Sequence, residues 1–175
     1  MAGVRFLTPQ VVRSQSLLGK IPLFLGAIRF QETVFALPFA YTGMLLAAQG
    51  WPDWRTFLWI TVAMVSARTL GMAANRVIDR QIDAKNPRTR ARHLPTGVLK
   101  TLDMIILLLV ALGMFFFAAS KLNNLALVLA PVAAVFLVVY PYTKRYTWTA
   151  NLLLGWALAI APSAAWIGVR GALSW

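Results

Sequence analysis

Long apolar runs separated by short clusters of charge leave this chain few ways to fold. A run of about 20 apolar residues matches the thickness of a bilayer core. Backbone in lipid must satisfy its own hydrogen bonds, so helices are the natural element for such runs. Five spans are expected, over residues 23–48, 57–78, 102–119, 125–140 and 150–169. Pro22 suits a first helical turn. Pro38, Pro131 and Pro162 fall inside spans and predict kinks that neighbouring helices support. The third and fourth spans are short for a crossing and are expected to draw on their flanks. The fold class is therefore all-α, a multi-span transmembrane bundle of about five helices in a lipid bilayer. It forms one domain over 1–175, with residues 1–20 as a tail and 79–101 as a polar loop.

Charge fixes the orientation. The chain carries 17 Lys and Arg against 5 Asp and Glu, a net charge of +12. That excess could suggest nucleic acid, but the cations flank apolar runs instead of clustering on a soluble module with readout elements, so nucleic-acid binding is excluded. With five spans, Arg5, Arg13, Lys20, the 76–100 loop cations, Lys144 and Arg145 share one side, twelve in all. Only Arg55, Lys121 and Arg170 fall on the other. The richer side is expected to be cytoplasmic, and the membrane to be the inner membrane of a bacterium. The chain has no cysteine, which removes disulfides, thiol nucleophiles and thiolate metal sites. Residues 1–20 lack the apolar core of a secretory signal. Phe6, Leu7, Val11 and Leu18 could line one side of a short surface helix.

The stretch NRVIDRQIDAKNPRTRARHLPTG, residues 75–97, breaks the apolar pattern. Asn75, Asp79 and Asp83 recur every four residues and share an arc of about 80° on one helix face, with Arg68 in the same arc. Aligned carboxylates repel unless something positive lies between them. Magnesium prefers one or two carboxylates completed by substrate phosphates, so Asn75, Asp79 and Asp83 are candidate ligands for Mg2+. Arg88, Arg90 and Arg92 follow as donors for phosphate oxygens. Spacing alone favours the plainer reading, two acids that balance local positive charge at a solvated helix end. Arg29 and Glu32 are three apart and expected to pair, Glu32 is an alternative partner for Arg68, and Arg29 could instead meet an acceptor carboxylate. Trp51, Trp54, Tyr140, Tyr142 and Trp148 are expected as interfacial anchors.

The longer segment ARTLGMAANRVIDRQIDAKNPRTRARHLPTG resembles the first aspartate-rich motif of the UbiA superfamily of intramembrane prenyltransferases. Its N-x-x-x-D-x-x-x-D falls on Asn75, Asp79 and Asp83, its preceding Arg on Arg68, and its loop on Arg88, Thr89, Arg92 and Leu94. YPYTKRYTWTANLLLGWALAIAP is similar to the family's segment after its fourth helix, matching at Tyr142, Lys144 and Arg145. RFQETVFALPFAYTGMLLA resembles the first helix of the 4-hydroxybenzoate polyprenyltransferase-like branch. The resemblance implies magnesium-dependent transfer of a polyprenyl group from a polyprenyl diphosphate to an aromatic acid acceptor such as 4-hydroxybenzoate, in ubiquinone or menaquinone biosynthesis. Ionisation of the donor to an allylic cation, attacked by the acceptor ring, is the implied chemistry. Asn75, Asp79 and Asp83 become its catalytic and metal residues, and Arg68, Arg88, Lys144 and Arg145 its diphosphate contacts.

Two features depart from the family. His93 stands where Pro is usual. The family fold has about nine helices and a second aspartate-rich motif, whereas the one acid after Asp83 here is Asp103. The chain is thus expected to correspond to the first part of the fold, truncated relative to it. It would be an inactive fragment or half-site subunit unless another chain supplies the second motif. Two other classes compete: a membrane transporter or assembly subunit with an Asp pair on an ion path, and a CDP-alcohol phosphotransferase, whose Asp-Gly and Ala-Arg pattern is not seen after Asp79.

Overall fold

The computed structural model describes residues 18–143 and 150–173, and every regular element among them is helical. A 3-10 turn at Leu18–Lys20 leads into α1 (Ile21–Ala27), followed by α2 (Phe30–Ala48) and α3 (Trp54–Lys85). Then come α4 (Thr101–Leu122), α5 (Asn124–Thr143) and α6 (Ala150–Arg170). Three of them, α3, α4 and α5, are long and apolar enough to cross a membrane, and α1 with α2 pass the same test as a bent pair. The chain is an integral membrane protein. Phe35, Phe39, Leu109, Val128 and Val132 are exposed along the outer faces, where lipid replaces water as the solvent.

The observed helices revise two expectations. The first span is broken: α1 and α2 meet at 63° across Ile28 and Arg29. Arg29 sits in left-handed backbone (φ 50°, ψ 59°), which costs a non-glycine residue about 1 kcal/mol or more. The third and fourth spans are not short, since α4 has 22 residues and α5 has 20. Polar ends that hydropathy trims away, such as Thr101 and Asn124, are helical.

The helix α3 organises the rest. Asp53 caps its N-terminus, accepting from the Thr56 amide at 3.0 Å and the Thr56 hydroxyl at 2.6 Å. Its 32 residues run about 48 Å, well beyond a hydrocarbon core of about 30 Å, so several of its turns must project from the bilayer. At the end distant from Asp53 those turns carry Asn75, Asp79 and Asp83. The expected loop over 79–101 thus begins as helix and becomes irregular only from 86 to 100.

Small residues set the spacing of the bundle. Leu70 on α3 packs with Ala111 of α4 and Ala134 of α5, all buried. Ala40 and Met44 of α2 meet Ile60 of α3 and Ala165 of α6. At Gly43 of α2 the backbone of α6 comes so close that a Cβ would collide with the Pro162 carbonyl. Gly43→Ala is expected to push α2 and α6 apart and cost about 1–3 kcal/mol. A thermal-unfolding series in detergent would check it, with an unchanged midpoint contradicting this packing.

Candidate active site

The acids of α3 lie where one end of the bundle meets the 86–100 loop. Asp79 and Asp83 are 5% and 6% exposed, far below what carboxylates at a solvated helix end would show. The chain then folds back over them. Pro87 disfavours helix at Asn86, and α3 ends there. The Asn86 side chain accepts from the Arg88 amide at 3.0 Å, an Asx turn that starts the reversal. Thr89, buried, donates its hydroxyl to the Asp83 carbonyl at 3.0 Å. This brings Arg92 onto Asp83, one guanidinium nitrogen reaching both carboxylate oxygens at 2.9 and 2.7 Å. Asp83 is thus neutralised by its own loop. Asn75 and Asp79 also engage neighbours, so none of the three is idle.

Beside this pair is a cavity of about 550 Å³ with a wall of guanidinium groups. Arg29 comes from the α1–α2 break, Arg76 from α3, and Arg88 and Arg92 from the loop, with Thr89 and His93 completing the polar lining. Arg76 is 6% exposed and donates through Nε to the Ala27 carbonyl at 2.8 Å, a group that the end of α1 leaves unpaired. His93 is half-buried, and burial, with the charge of Arg76 second, pushes its pKa below the usual 6.5. No carboxylate lines this cavity among the described residues. Arg92 therefore stands between an acidic helix face and a cationic hollow.

The other residues singled out by sequence fall in different places. Arg68 lies three turns from Asp79 and lines a smaller apolar cavity, about 120 Å³, with Ala40, Phe115, Phe136 and Ala161. It approaches Glu32 at 3.9 Å while Arg29 holds Glu32 at 2.7 Å, so both expected pairings of Glu32 occur together. The buried Nε of Arg68 has no hydrogen-bond partner among the described residues. Lys144 and Arg145 lie outside the described residues. Asp103 is occupied elsewhere: it accepts from the Lys100 amide at 3.0 Å at the start of α4 and from the Lys20 ammonium at 3.2 Å. Sequence reasoning gave Arg76 and Lys20 only topological roles. Both are buried, and no local pattern marks that, because their partners lie 49 and 83 residues away.

The donor set is suited to magnesium only in part. Two carboxylates and an amide on successive turns offer hard oxygen ligands, which is the half-filled shell a phosphate-bound Mg2+ needs. Among the described residues no group of three or more His, Cys, Asp or Glu side chains gathers as a protein-only metal site.

A polytopic membrane bundle, with buried acids at one end and an arginine-lined cavity beside them, defines the class of the protein by its architecture. Comparison narrows this further. Residues 36–175 match the UbiA prenyltransferase family, and the chain belongs to that family. It is similar to 4-hydroxybenzoate octaprenyltransferase of Vibrio vulnificus (strain CMCP6), 33% identical over 132 residues, covering 75% of this chain and 46% of the relative. The protein of the same description from Vibrio campbellii (strain ATCC BAA-1116) is 34% identical over 133 residues, covering 75% and 46%. Among solved structures, the apo form of a UbiA homolog from Aeropyrum pernix K1 superposes with a TM-score of 0.76 at 32% identity, covering 81% of this chain and 51% of that one. A digeranylgeranylglyceryl phosphate synthase shares the fold with a TM-score of 0.80 at 21% identity, over 87% of this chain and 54% of that one. The chain spans about half the length of the curated relatives it matches.

Arg92→Ala would strand a buried carboxylate. A fully buried pair broken this way costs about 3–5 kcal/mol; Arg92 is partly exposed, so about 1–3 kcal/mol is expected. The check is the unfolding midpoint of the variant, with Arg92→Lys recovering part of the loss. A midpoint equal to that of the unaltered protein would show that the pair carries no weight.

Proposed function

We propose that this chain carries the diphosphate-binding end of a magnesium-dependent prenyltransferase. The reaction would move a polyprenyl group from its diphosphate to an aromatic acid acceptor, 4-hydroxybenzoate being the acceptor named for the relatives. The observation that carries this reading is the position of Arg92, bonded to Asp83 on one side and lining the arginine cavity on the other. An acidic face beside a cationic hollow is what a metal–diphosphate pair requires, since each sign of charge in the protein then finds its complement.

In this reading Asn75, Asp79 and Asp83 hold Mg2+, which supplies positive charge that favours departure of the diphosphate. The protein's own part is electrostatic. Arg88 and Arg92 fix the phosphate oxygens, with Lys144 and Arg145 as further contacts, and Arg68 extends the cationic set inward. Preorganised donors stabilise the charge that develops on the leaving group, in a site with little water. The apolar cavity bordered by Arg68, about 120 Å³, would take only the first part of the prenyl chain, and Arg29 would offer the acceptor carboxylate a cation. Ubiquinone synthesis is the setting the relatives suggest, and menaquinone synthesis would use similar chemistry. The cation-rich loops would face the cytoplasm on the asymmetry of charge, and the bacterial origin of the relatives suggests the inner membrane.

One observation favours an added requirement. Asp103, the one acid after Asp83, is held by Lys20 and the α4 backbone and is not available to a second metal. A second acidic cluster, from a further segment or a partner chain, would then complete the site. Native membranes, in which the source of that second cluster is present, should transfer a labelled prenyl group to 4-hydroxybenzoate with Mg2+, and Asp79→Ala or Asp83→Ala should cut the rate at least about 100-fold. Undiminished, metal-independent turnover in those variants would reject the assignment.

A further inference from the structure

The arginine cavity contains one group that the proposed reaction has not used. His93, the single histidine of the chain, lines it among Arg29, Arg76, Arg88 and Arg92. Guanidinium groups only donate hydrogen bonds and cannot give up their charge, so the wall they form is fixed in both respects. Thr89 has already committed its hydroxyl proton to the Asp83 carbonyl. The imidazole is different, because it can accept a hydrogen bond when neutral and donate from both nitrogens when charged.

Its position is built. The His93 carbonyl accepts from the Leu99 amide at 3.0 Å and the Thr96 hydroxyl at 3.3 Å, which anchors the backbone. Gly26 of α1 leaves the ring its place; a Cβ there would lie 3.3 Å from Cε1. The ring nitrogens make no hydrogen bond to another described residue. The charged side chains sharing the cavity from the α1–α2 break, α3 and the loop are all arginines. Burial first and the charge of Arg76 second disfavour an imidazolium, and an entering anion would reverse that balance.

We propose that His93 is the proton-accepting member of this cavity, so that a diphosphate group is bound there together with uptake of one proton from the buffered solution onto the imidazole, which then donates to a phosphate oxygen. This rests on the reading that the cavity receives diphosphate, and it adds a positioning residue at a place where the family usually has proline. The sign follows from linkage. The free protein holds the His93 pKa below 6.5, from burial first and Arg76 second; bound diphosphate raises it. Between those two values the complex carries more protons than the free protein, so affinity strengthens as pH falls, by at most about tenfold per pH unit. It levels off outside that window.

The test uses the full chain in lipid nanodiscs, inorganic pyrophosphate as the probe, and EDTA to exclude metal. One histidine gives one imidazole resonance, so the unaltered protein reports directly by NMR and no variant need fold. Pyrophosphate should move the His93 pKa up by at least about one pH unit. In parallel, the ratio of pyrophosphate affinities between the unaltered protein and His93→Gln should grow at least about threefold from pH 8 to pH 5. Titration of pyrophosphate itself cancels in that ratio. An unmoved resonance, a flat ratio, or no pyrophosphate binding would each overturn the proposal. Asp79→Ala should keep the His93 response, so failure of the metal-dependent reading would leave this result standing.

Discussion

A carboxylate buried at the end of a membrane helix needs a counter-charge, and the architecture of this end of the protein follows from how Asp83 obtains one. Arg92 must travel back nine residues to meet it. Asn86, Pro87 and Thr89 are the residues that make the reversal, by ending α3, turning the backbone and tying the turn to the Asp83 carbonyl. The same fold-back brings Arg88 and His93 around the break between α1 and α2. That break exists because Arg29 adopts left-handed backbone, and Arg76 caps the carbonyl of Ala27 that it leaves open. One ion pair, one reversal and one broken helix together enclose the cavity.

This arrangement carries a physical consequence for ligand binding. With Arg92 on Asp83, the acidic face is already compensated, and a divalent cation has to compete with a guanidinium for one of its two carboxylates. In the proposed reading, an arriving diphosphate would offer Arg92 a better-matched partner through paired donors and would free Asp83 to turn to a metal. Metal and diphosphate should therefore favour one another's binding, and such coupling is reciprocal by thermodynamic necessity.

Much of this was legible in the sequence, and the illegible part has a common cause. Apolar runs gave the helices, and N-x-x-x-D-x-x-x-D put Asn75, Asp79 and Asp83 on one face, because both are periodic signals along a single element. The Arg29–Glu32 pair was readable from its three-residue spacing, although Arg29 sits at the break and only Glu32 lies in α2. Lys20 with Asp103 and Arg76 with Ala27 were not, since they join residues far apart in the chain and leave no local pattern. The break at Arg29 was also hidden: no glycine or proline occupies the two positions of the break, and the Ala27 carbonyl before it is met by Arg76 from 49 residues away. Helix ends were trimmed in sequence reading because hydropathy measures lipid, while helices continue past it as far as capping allows. Lys144 and Arg145 lie outside the described residues and stand on resemblance alone.

The central claim is that the acids of α3 and the arginine cavity act as one site for a metal and a diphosphate. Electron paramagnetic resonance of Mn2+, standing in for Mg2+, tests this directly on the purified chain in nanodiscs. The account predicts weak Mn2+ binding by itself, at least about tenfold tighter binding with inorganic pyrophosphate than pyrophosphate in solution gives, and loss of that gain in Asp79→Asn/Asp83→Asn. Protein-bound Mn2+ that is indifferent to pyrophosphate, or a gain that survives the double substitution, would contradict it.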